Sequence, residues 1–141
     1  DMRRRCKAFL DKHIDYRAAV MGASVLGSIV FYINYDHGLA GATTAAVKQG
    51  AYTFFAGGFM VRLNERIALA LNPAWLAIPA GVLGAGGLAV TLTFLLHSLR
   101  GTPEPLNSTV PTMVLAGVGF AGLGIWVRYR RALEEASGLD S

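Results

Sequence analysis

Lys48 and Gln49 stand near the centre of LAGATTAAVKQGAYTFFAGGFMV, residues 39–61, a run otherwise long and apolar enough to cross a bilayer. A charged amine at that depth costs at least ~2.5–3.5 kcal/mol unless something compensates it. On a helical wheel Thr44, Lys48 and Tyr52 step by four along one side, and Gln49 and Thr53 widen that polar side. Gly38, Ala42, Ala46 and Gly50 step by four on the opposite side, a stripe small enough to admit another helix. An amine ringed by hydroxyls and an amide is suited to an anionic group, a carboxylate or a phosphate, held at the midplane. No Asp or Glu falls inside any of the four apolar runs of the chain. The compensation must therefore come from a neutral amine, a water-filled cavity, an anionic ligand, or a carboxylate on another subunit.

A second set of polar groups belongs to two connections. Asp36 and His37 share the turn NYDHG, and His97, Arg100 and Glu104 lie in HSLRGTPEPLNSTVP. An adjacent carboxylate and imidazole supply half a metal site or a proton relay, but a polar turn with an aspartate near a helix N-terminus explains the pair more simply. The longer connection places an imidazole, a cation and a carboxylate in a loop stiffened by prolines, a place for ligand or partner contacts. The plainer reading pairs Arg100 with Glu104 or with lipid phosphate.

Enzyme chemistry is disfavoured. The three histidines are divided, with His13 on one side of the membrane and His37 and His97 on the other, so no three-histidine site closes on one face. Cys6 is the sole cysteine, which excludes an intrachain disulfide and a cysteine metal cluster. No catalytic residue, metal or cofactor is assigned.

The elements that must hold these groups follow from the apolar runs. Hydrophobic residues make up 53% of the 141 and charged residues 16%, a balance too apolar for an ordinary soluble domain. Residues 18–35, 39–61, 73–96 and 110–127 each reach or approach the roughly 20 residues needed to cross ~30 Å of hydrocarbon. The turn at 34–38 is so short that the first two runs form an antiparallel hairpin, and the last two form another. Ahead of them Met2, Cys6, Leu10 and Ile14 recur every fourth position among Arg and Lys, which predicts an amphipathic surface helix over 2–17. Asn72 and Pro73 read as the cap and first residue of the third run, Pro79 as a bend, and Pro111 as the first turn of the fourth. The expected fold is an all-α integral membrane protein, a single domain over 1–141 of four transmembrane helices.

Charge placement orients it. The threading puts Arg3, Arg4, Arg5, Lys7, Lys12, Arg17, Arg62, Arg66, Arg128, Arg130 and Arg131 on one side and Arg100 on the other, so both termini are expected in the cytoplasm. The formal net charge of +4 is then topology plus attraction to anionic headgroups, not a nucleic-acid footprint. The first apolar run ends in Tyr35 and Asp36 rather than a small-residue cleavage site, and no cleavable signal is expected. The bacterial inner (plasma) membrane is the expected location, as a homo-oligomer or within a larger membrane complex. Two functional expectations stand: a midplane site around Lys48 that transports or handles an anionic solute or lipid, or a non-catalytic accessory or assembly subunit.

Overall fold

The structure, a computed structural model, describes residues 2–99 and 105–138; 93% is helical and contains no strand. Three helices are long and apolar enough to cross a membrane, over Tyr16–Ile33, Ala74–Leu96 and Thr112–Ala136. No more than 22% of any of these windows is buried, and large apolar side chains such as Met21, Leu83 and Val118 face outward. Helices with that much outward apolar surface, and with their backbone groups bonded internally, are built for lipid rather than water. Residues 39–61 are not among the three. Their threonines, glycines, Lys48 and Gln49 dilute the run, although it is helical throughout.

The chain divides into two compact units, Asp1–Arg62 and Leu63–Ser141. The first contains α1 (Met2–His13), α2 (Tyr16–Ile33), a 3₁₀ turn (Tyr35–His37), α3 (Leu39–Tyr52), a π turn (Thr53–Gly57) and the start of α4 (Gly58–Ala70). The surface helix expected over 2–17 stops at His13 because Asp15 is extended and its carboxylate accepts the Ala18 N–H at 2.9 Å, capping α2. The first apolar helix therefore spans 16–33 rather than 18–35. At its end the Asn34 side chain donates to the Val30 carbonyl.

Small residues decide how α2 and α3 meet. A β-carbon at Gly27 would lie 3.3 Å from the Ala46 carbonyl, and one at Gly50 would lie 3.6 Å from that of Ala23. Ala42 is fully buried. The stripe of Ala42, Ala46 and Gly50 is thus the groove that receives the Ala23 and Gly27 face of α2, whereas Ser24 and Ser28 face outward. Gly58 receives the elbow between α1 and α2. Its carbonyl accepts the Asp15 N–H at 3.2 Å, and a β-carbon there would stand 2.7 Å from Ile14 Cγ2 and 2.9 Å from Ala19 Cβ.

The second unit holds the rest of α4, α5 (Ala74–Gly81), a second π turn (Val82–Gly86), α6 (Gly87–Leu99) and α7 (Pro105–Ala136). Asn72 does not cap α5: the chain enters through Pro73 in extended conformation, and the Asn72 carboxamide oxygen accepts from Arg128 instead. Pro79 lies inside α5, just before the π turn, where a missing backbone donor favours a change of hydrogen-bond register. Both π turns run into the second glycine of an Ala-Gly-Gly triplet, Ala56-Gly57-Gly58 and Ala85-Gly86-Gly87. The last helix begins at Pro105 rather than near 110, so Pro111 lies within the helix rather than in its first turn, and Thr109 is buried. Pro105 suits the first helical position, where its missing N–H has no partner to lose. Past Ala136 the chain turns at Gly138, whose φ of +67° is left-handed.

Candidate functional site

Of Thr44, Lys48, Gln49, Tyr52 and Thr53, on and just after α3, only Thr44 and Lys48 face outward, whereas the Thr53 methyl packs against Gly22 of α2. Lys48 and Thr44 are exposed, with Val47 at 64% beside them. The five groups do not converge on one point. The Thr44 hydroxyl donates back to the Ala40 carbonyl at 2.8 Å, the usual way a helical threonine satisfies itself. Gln49 Nε2 donates to Thr53 Oγ1 at 3.1 Å, and Thr53 is buried where its methyl meets Gly22 and Gly57. Tyr52 is half-buried. Lys48 thus stands as the one cationic group on an outward strip of Val47, Lys48, Ala51 and Phe55.

The connection residues are placed less fully. Asp36 is exposed within the 3₁₀ turn, and α3 is entered through Gly38, with φ +86°, without a side-chain cap, so Asp36 does not close the helix end. His37 belongs to the same turn and His97 to α6. Arg100 and Glu104 lie outside the described residues. Among the described residues no three His, Cys, Asp or Glu side chains gather as a metal set.

Three features were not anticipated. Asn64 is fully buried in the second unit; its Nδ2 donates to the Phe120 carbonyl at 3.1 Å, while its Oδ1 has no hydrogen-bond partner and faces Gly81. Arg128 clamps the end of α4: its Nη1 donates to the carbonyls of Ala68 and Leu71 at 2.6 and 2.8 Å, and its Nη2 to Asn72 Oδ1 at 2.7 Å. A cation on helix-end carbonyls satisfies both their lone pairs and the helix dipole. Below it Arg131 pairs with Glu135 at 2.9 Å, Arg130 with Glu134 at 3.3 Å, and Arg130 lies 5.0 Å from the Trp126 ring centre. At the other unit's edge Arg62 reaches Asp15 at 4.0 Å, and His13 stacks on Phe9 with ring centres 4.2 Å apart. The Arg130–Glu134, Arg131–Glu135 and Phe9–His13 pairs have the i,i+4 spacing a helix brings together, whereas the burial of Asn64 and the contacts of Arg128 and Arg62 carry no local sequence signal.

Compared with known proteins, the chain matches no family, no curated protein and no solved structure.

Proposed function

We propose that the chain is a non-catalytic subunit of a larger membrane complex, threaded four times with both termini in the cytoplasm, and that the outward face of α3 docks a partner's transmembrane helix. The observation that carries this is the exposure of Lys48 beside Val47 on the face opposite the α2 groove. Residues 39–61 are taken as a crossing because a partner shields the polar groups that dilute their hydropathy. An amine facing outward at mid-depth is compensated well by an acid, and every Asp and Glu of this chain lies outside the apolar runs. The partner supplies a carboxylate at the same depth. The bacterial inner membrane and the arginine-rich ends on anionic headgroups belong to the same reading.

Purification in mild detergent followed by mass spectrometry tests it. The wild-type chain is expected to bring down a stoichiometric membrane partner, and Lys48→Met, with helical content unchanged, to lose it. A wild-type chain that elutes alone, or a Lys48→Met chain that keeps its partner, overturns the docking role. The alternative, handling of an anionic solute or lipid at Lys48, predicts a lone chain whose anion uptake in proteoliposomes disappears with the same substitution.

A further inference from the structure

Near the end of α7 the second unit contains an open cleft of about 240 Å³, lined by Leu69, Asn72, Arg128, Arg131, Ala132 and Glu135. Two guanidinium groups share it, and they are held differently. Arg128 is fixed by three acceptors, which leaves two of its five N–H donors. Arg131 is held through Nε by Glu135, four residues on, with both side chains more than half exposed. Such an exposed pair on one helix contributes little and exchanges readily for a better acceptor. Leu69 and Ala132 give the cleft an apolar wall.

Depth adds to the argument. The 32 residues of α7 span ~48 Å, well beyond ~30 Å of hydrocarbon, so the turns after Val127 emerge at a headgroup layer. Trp126 and Tyr129, both exposed, are the aromatic residues expected at that level.

We infer that this cleft is a phosphate-binding site, in which phosphate oxygens take the place of the Glu135 carboxylate on Arg131 while Arg128 stays locked and offers its remaining donors. The phosphate of an anionic lipid headgroup and free inorganic phosphate share that chemistry; the apolar wall suits the glycerol end of a lipid. Planar guanidinium groups match phosphate oxygens in pairs. The inference rests on the reading that α7 crosses the bilayer, but not on the docking role of Lys48.

The test uses the full chain in detergent, with short-chain phosphatidylglycerol, short-chain phosphatidylcholine and inorganic phosphate titrated separately and followed by native mass spectrometry. Phosphatidylglycerol is expected to bind in preference to phosphatidylcholine. Arg131→Gln should weaken it by about tenfold or more, Glu135→Gln should tighten it, and Arg130→Gln, an equal loss of charge outside the cleft, should leave it unchanged. Both Arg131 and Glu135 are exposed, so their variants keep the packing. Equal binding of the two lipids without phosphate binding, or equal weakening by Arg131→Gln and Arg130→Gln, overturns the site. Inorganic phosphate binding with the same Arg131 dependence supports the site and assigns it to the free ion. Release of the chain from membranes by alkaline carbonate would remove the membrane reading separately, and the phosphate titration would still report on the cleft.

Discussion

Gly81→Ala is the substitution with the most sharply defined consequence. Gly81 is buried in α5 against Asn64 of α4, and a β-carbon there would run into Asn64 Oδ1, with Asn64 Cγ at 3.3 Å and the Asn64 backbone oxygen at 3.6 Å. The side chain cannot simply swing aside, because its Nδ2 is tied to the Phe120 carbonyl and is close to Gly124. Overpacking of this kind costs ~1–3 kcal/mol, and replacing a helical glycine by alanine returns ~1 kcal/mol. With a fixed obstacle the upper part of the range applies, a net loss of ~2 kcal/mol. Asn64→Ala alone loses one hydrogen bond, ~1 kcal/mol, but also removes a buried oxygen without a partner, so its net effect is small. The double variant removes the obstacle, and the two changes should couple by ~1.5 kcal/mol or more in its favour. Equilibrium unfolding in mixed detergent micelles, read by circular dichroism, measures all four corners of the cycle. Additivity within ~0.5 kcal/mol would refute the proposed contact.

Gly58→Ala should loosen the elbow between α1 and α2 by ~1 kcal/mol net, seen as roughly fivefold faster hydrogen exchange at the Asp15 amide that bonds to Gly58; unchanged exchange there would remove the elbow contact as the cause. Gly87→Ala has the opposite expected sign, because the residue is helical, with φ −59°, and has nothing within 4 Å of a β-carbon; a gain of up to ~1 kcal/mol in the same unfolding assay is expected, and a loss would show a neighbour absent from this structure. Arg128→Lys keeps the charge but not the fork, so the Ala68, Leu71 and Asn72 oxygens cannot all be bonded at once. It should cost ~2 kcal/mol and speed exchange at the end of α4, while equal stability would make the clamp incidental.

The helical character and the apolar runs were legible because they depend on local composition. The two-sided nature of α3 was legible for the same reason: a step of four residues puts Ala42, Ala46 and Gly50 on one line, and that line is where α2 packs. What could not be read is partly longer in range and partly a contest between local signals. The apolar positions that continue to Ile14 predict a surface helix reaching Arg17, but Asp15 is a stronger local signal, a cap that starts a new helix. Asn72 looked like a cap from its neighbour Pro73, yet its side chain serves an arginine 56 residues away, and no spacing rule carries that information. Arg128 counts in the sequence only as a topological charge, because its acceptors lie 56 to 60 residues away. The π turns escaped because widening a helix by one residue leaves its composition unchanged.

The arrangement of α3 bears on specificity as well as on docking. One face of the helix is spent on α2 through Ala42, Ala46 and Gly50, so the Lys48 face is the one left for anything outside the unit. On the proposed reading, a neighbouring helix without an acid would leave the amine uncompensated at a cost of ~2.5–3.5 kcal/mol, equivalent to roughly a hundredfold in association. A helix with a carboxylate at the same depth recovers that free energy, and the exposed Val47 beside the lysine adds apolar contact that discriminates much less between partners. The lysine then acts chiefly by rejecting wrong neighbours. It follows that Lys48→Met should not merely weaken association with the proper partner: it should also let the Val47 face accept apolar helices that the wild-type chain excludes.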